Sequence, residues 1–74
     1  MHRVKVVLDT TSDITSFVNI ACSIEEPVYL EDGNGFRANA KSLMGVMYGK
    51  FEFKDLWVVS DCATLTTKLM QFIA

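Results

Sequence analysis

The chain has little of most things that would announce a function. It holds two cysteines, one histidine, one proline and four glycines in 74 residues. Cys22 and Cys62 lie far apart, form no CxxC pair and have no histidine beside them. That leaves no metal or redox motif, and two lone cysteines of this kind read as buried thiols. His2, the only histidine, sits at a terminus, where chains usually fray, so no catalytic or metal role is expected of it. No uninterrupted apolar run approaches the ~18 residues of a membrane span. The seven lysines and arginines are scattered among nine acids, with a net charge of −2, so no basic stripe suggests nucleic acid. The opening MHRVKVVLD has an apolar run too short for a signal peptide and passes straight into a strand-like pattern. The expectation is a cytoplasmic protein with no nucleic acid, membrane or cofactor among its partners. There is no internal repeat, no low-complexity tract and no linker.

What is present is a short, apolar chain. Half its residues are hydrophobic, which is too many for a disordered segment. The length fits a single domain over residues 1–74, with a thin core and a net stability of only a few kcal/mol. VKVVL (4–8) is β-branched and ends at Asp9, as a strand would. The polar TTSD that follows offers Ser12 and Asp13 as helix caps. Ile14, Phe17, Val18, Ala21 and Ile24 then recur on one helical face until Pro27 stops the helix. PVYLE, DGNG and FRANA read as strand, tight turn and shorter strand. Ser42 is placed to cap a helix, SLMGVMYG, with Gly49 as its stop. DLWVVS (55–60) reads as a strand, and Asp61 as the cap of a last helix carrying Leu65, Leu69 and Phe72. The order βαββαβα predicts an α+β fold, a four-stranded antiparallel sheet with three helices on one face.

The stretch NGFRANAKSLMGVM (34–47) carries a resemblance. Its turn, its lysine–serine pair and the apolar helix after them resemble, in order and without a gap, those of HPr, the histidine phosphocarrier of the bacterial sugar phosphotransferase system. VKV in the first strand, VYLE before the turn and VVS in the last strand extend the similarity over nearly the whole chain. The resemblance implies an open-faced β-sandwich, in agreement with the element order. It does not carry the family's chemistry. HPr proteins accept a phosphoryl group on a histidine that opens the first helix, followed closely by arginine and proline. Here the loop is TTSDIT, about three residues shorter, with hydroxyls on Thr10, Thr11, Ser12 and Thr15 and no base to activate them. No enzymatic or phosphocarrier activity is expected.

Ser42 does match, at the position where many HPr proteins are phosphorylated as a signal. A phosphate there would meet the free amides and positive dipole end of the helix, with Lys41 adjacent; the alternative role is a plain N-cap. Leu43, Met44 and Met47 occupy positions the family uses to dock protein partners. With Val46 and Tyr48 they give the helix an apolar arc of roughly 200°, twice what packing on one core needs. The resemblance therefore implies a non-catalytic protein-binding or regulatory module. Its partner would be another protein, either a component of the phosphotransferase system or a transcriptional regulator. The alternatives are a phosphocarrier-related protein regulated at Ser42, or a structural homodimer. For the homodimer, alternation along the strands and the alignment set Val7, Tyr29, Leu56 and Val58 side by side on the open face of the sheet, as an apolar patch that a second copy would cover.

Overall fold

The structure, a computed structural model, describes residues 1–73. Strands β1 (His2–Val6), β2 (Val28–Glu31), β3 (Arg37–Asn39) and β4 (Leu56–Ser60) alternate with helices α1 (Thr11–Cys22), α2 (Leu43–Glu52) and α3 (Leu65–Lys68), and a 3₁₀ turn, Met70–Phe72, closes the chain. The strands form one antiparallel sheet in the order β1-β4-β2-β3. The expected α+β open-faced architecture is the one found.

α1 begins two to three residues earlier than the expected caps would start it. Thr10, not Ser12 or Asp13, is the N-cap; its hydroxyl accepts the Asp13 amide at 3.1 Å, and the Asp13 carboxylate accepts the amides of Asp9 and Thr10. This reciprocal capping box satisfies several amides that a helix start leaves without partners. Ile14, Phe17 and Ala21 are buried along α1, with Ile24 just beyond it. β1 runs over 2–6 rather than 4–8. Leu8 is nevertheless buried, and the Val7 amide donates to the Phe72 carbonyl at 2.8 Å, which fastens the closing turn beside the edge of β1.

The core lies between the sheet and the helices, and the strand register fixes which side chains enter it. Val4 pairs with Val58 and Val58 with Leu30, while Val6 pairs with Leu56. Cross-strand partners point to the same face. Val4, Val6, Leu30, Leu56 and Val58 are all buried there, against Phe17, Val46, Leu65 and Leu69. This overturns the expected open-face patch. Leu56 and Val58 belong to the core, and Trp57 and Val59 take the open face instead. A strand that is apolar on both parities leaves the sequence no period to choose its facing, and one step of slip inverts every side chain. Val7 is exposed but lies beyond the end of β1, and only Tyr29 of the four sits on the open face as expected.

Two more boundaries move. Gly49 does not end α2; it lies inside the helix, buried, where a Cβ would come within 2.6 Å of a Leu30 methyl. Asp61 does not cap α3, whose N-cap position falls to Thr64 with no side-chain hydrogen bond. Leu65, Leu69 and Phe72 are buried as their spacing requires, and the Phe72 ring packs edge-on against Phe17 at 5.8 Å. Of the two cysteines, Cys62 is buried but Cys22 is exposed, its thiol donating to the Lys41 carbonyl at 3.4 Å. Among the described residues no helix is long and apolar enough to cross a membrane.

Since Val58 touches both neighbouring strands from the centre of the core, Val58→Ala should cost about 2 to 3 kcal/mol through lost contact and residual cavity. Urea denaturation should show a lower midpoint at unchanged slope; an unaltered midpoint would place Val58 outside the core.

Candidate protein-binding site

The segment from Asn39 to Glu52 is built from a tight turn feeding a helix. The Ser42 amide donates to the Asn39 carbonyl at 3.2 Å, and the Asn39 side chain accepts the Lys41 amide at 2.9 Å. The chain thus arrives at Ser42 in an extended conformation, φ −104° and ψ 125°, and enters α2 from there. The Ser42 hydroxyl accepts the Gly45 amide at 3.2 Å, and its carbonyl accepts the Val46 amide. Ser42 is therefore the N-cap of α2. No acid stands in the first turn, so the positive end of the helix is not neutralised by its own sequence.

Lys41 does not stand over Ser42. Its ammonium donates to the carbonyls of Ile24 and Glu25, just past the end of α1. The last turn of α1 has no basic residue of its own, so Lys41 brings a positive charge to that negative dipole end from the adjacent turn before α2. The lysine beside the serine is a tie between α1 and the turn before α2.

Along α2, Val46 and Gly49 face the sheet. The other side is apolar too and is left in solvent. Leu43, Met44 and Met47 are exposed as the sequence suggested, and Tyr48 and Phe51 join them. Met44, Met47, Tyr48 and Phe51 recur at i, i+3, i+4 and i+7, which is one continuous helical stripe. Phe51 escaped the sequence reading because the helix was stopped at Gly49; extending the period one turn would have found it. Phe36, exposed on the turn between β2 and β3, lies past Tyr48, and both line a cleft of about 200 Å³ with Asp32, Glu52 and Phe53.

The open face of the sheet is handled differently. Its rows read Arg3, Val59, Tyr29, Asn39 and Lys5, Trp57, Glu31, Arg37. The Arg3 guanidinium lies 4.4 Å from the centre of the Trp57 ring, and that of Arg37 lies 4.6 Å from the centre of Tyr29. Arg37 also pairs with Glu31, and Lys5 with Asp55 at 3.5 Å. Both half-buried aromatics here carry a cationic cover.

At the start of α1, where the resemblance would set the phosphoryl acceptor, the hydroxyls of Thr10 and Thr15 serve the backbone. Thr10 caps the helix, and the Thr15 hydroxyl donates to the Thr11 carbonyl at 3.2 Å. His2 begins β1 and so stands at the opposite end of that strand from α1.

Set against protein-family models, curated proteins and solved structures, the chain matches none significantly. What it can do is therefore read from its own geometry. Among the described residues, α2 carries the longest run of exposed large apolar side chains, with a serine at its head.

The turn into α2 is tight enough to test. A Cβ on Gly45 would lie 2.7 Å from the Asn39 carbonyl oxygen, a backbone atom with little room to retreat. Gly45→Ala should cost about 1 to 3 kcal/mol despite alanine's better helix propensity, and Ser42→Ala about 1 kcal/mol through loss of the cap. Urea midpoints measure both, and a Gly45→Ala protein as stable as the parent would show that the turn yields freely.

Proposed function

We propose that this chain is a non-catalytic, HPr-like protein-binding or regulatory module, with the outward face of α2 as its docking surface and Ser42 as a phosphorylation site at its edge. The observation that carries this reading is the stripe of Met44, Met47, Tyr48 and Phe51 left in solvent on a helix whose opposite side already fills the core. Support for the HPr-like part comes from the NGFRANAKSLMGVM stretch and from a sheet order that sets the last strand between the first and second, as the resemblance implies. Methionines suit such a surface because their flexible, polarizable side chains repack against differing partners. A phosphate on Ser42 would add charge of about −2 at one end of the stripe, where helix amides are available to receive it, so modification would alter docking without melting the helix. The TTSDIT loop has neither the imidazole nor the adjacent cation that phosphoryl transfer requires, which favours a binding role over a carrier role.

Photo-reactive side chains at positions 44, 51 and 5 test the docking surface in cells. Adducts to protein should form from 44 and 51 and not from position 5 on the open sheet face, and Ser42→Asp should change their yield. Equal yields at all three positions would refute the α2 surface. Incubation with phosphoenolpyruvate and enzyme I should leave the protein unlabelled; stoichiometric labelling would refute the non-catalytic reading.

A further inference from the structure

At about 100° per residue, Met44 and Phe51 fall at the middle of the outward side of α2, opposite Val46 and Gly49. Their exposure bears this out: Met44 is 81% and Phe51 77% accessible, against 47% for Leu43, 41% for Met47 and 57% for Tyr48 on the shoulders. Phe36, 64% accessible, continues the surface past Tyr48. Taking about 200 Å² for each large side chain when fully exposed, these six present roughly 700 Å². The largest apolar patch on an ordinary monomer is about 300 to 600 Å². Each side of a standard protein interface buries about 800 Å². The patch is thus larger than a monomer usually tolerates and close to what one half of a stable interface requires.

We propose that its occupant is a second copy of this chain, so that two α2 stripes pack on one another about a two-fold axis. This inference rests on the protein-binding reading and names the partner. Two-fold pairing lets a single patch be both surfaces of the interface, so one stripe suffices. The margins fit a copy better than a charged partner. Lys50 borders the Leu43 shoulder, Glu52 the Tyr48 shoulder and Asp32 the cleft beside Phe36, so the rim carries both signs with neither dominating. A strongly acidic or basic partner would find no strong complementary field there, whereas a second copy brings the same weak, mixed-sign rim. The backbone of α2 is satisfied within the helix, so pairing buries side chains and strands few polar groups.

Sedimentation velocity between about 1 and 100 μM, the range in which a modest dimer dissociates, is the direct test. The protein should move from 8.3 kDa toward twice that mass as concentration rises. Met44→Glu and Phe51→Glu should each raise the dissociation constant at least about 10-fold, with unchanged far-UV circular dichroism, and Lys5→Glu on the open sheet face should leave it unaltered. A photo-reactive group at position 44 should also cross-link the purified protein to itself. A chain that stays at 8.3 kDa throughout and forms no such cross-link overturns the second copy. So does a dimer that both glutamate variants leave intact. If the purified chain is monomeric while position 44 cross-links to a different protein in cells, only this inference falls; if neither occurs, the protein-binding reading falls with it.

Discussion

The contact on which the rest of the molecule depends is the row Val4, Val58, Leu30 across β1, β4 and β2. β4 arrives late in the chain yet must enter between the first strand and the second. Nothing local holds it there. Its place is won by burying Val58 completely and Leu56 nearly so against the two strands that flank it, beneath Phe17 and Val46 from the helices. Until that insertion occurs, β1 has no partner but the closing turn, and β2 has only the three residues of β3. Ser60 at the end of β4 shows how completely the strand is enclosed. It is 1% exposed, and its hydroxyl donates to the Pro27 carbonyl and accepts the Cys62 amide, so the buried polar group is satisfied on both sides.

This dependence explains what could and could not be read in advance. The hairpin, the stripe of α1 and the cap of α2 are local matters. A turn motif, a period of 3.6 or a serine before an apolar run states each of them within a dozen residues, and each was legible. The facing of β4 is not local. LWVVS is apolar at both parities, and what decides between them is the register against Val4 and Leu30, residues distant in sequence. Turning Trp57 and Val59 inward by alignment with the resembled family inverted the strand and, with it, the surface expected for self-association. The misplaced caps have a related cause. Thr10, Ser12 and Asp13 are all plausible caps, and the choice falls to Thr10 because Asp13 then completes the box three residues on. Gly49 carries a strong stop signal, but its bare backbone is needed where α2 crosses Leu30, and packing overrides the propensity.

The thinness of the core then accounts for the shape of the site. One sheet face and three short helices leave room for about one side of each helix. α1 is matched to that arrangement, apolar inward and polar outward. α2 is not. Its inward side needs only Val46 and the clearance at Gly49, yet its outward side carries two methionines, a leucine, a tyrosine and a phenylalanine left largely in solvent, although the Tyr48 ring also packs edge-on against Phe53. Residues of this kind on the wet side of a helix are costly in a small protein, because their exposed apolar surface adds to its tendency to associate.

The open sheet face shows that the chain has a means of avoiding such exposure where exposure serves nothing. Trp57 and Tyr29 could have made that face adhesive. Instead Arg3 and Arg37 lie over the rings, and Glu31 and Asp55 hold Arg37 and Lys5 in turn. Each cation–π contact contributes only about 0.5 to 1 kcal/mol at such sites, and each surface ion pair less than about 1 kcal/mol. Their effect is chiefly on what the face presents: charge outward, aromatic carbon beneath. On α2 the nearest charges, Lys50 and Glu52, stand at the two margins and leave the middle, Met44 and Phe51, uncovered. The same molecule thus covers one apolar surface with its own side chains and leaves the other bare. That contrast, more than the size of either patch, is the reason to place association on α2 and not on the sheet.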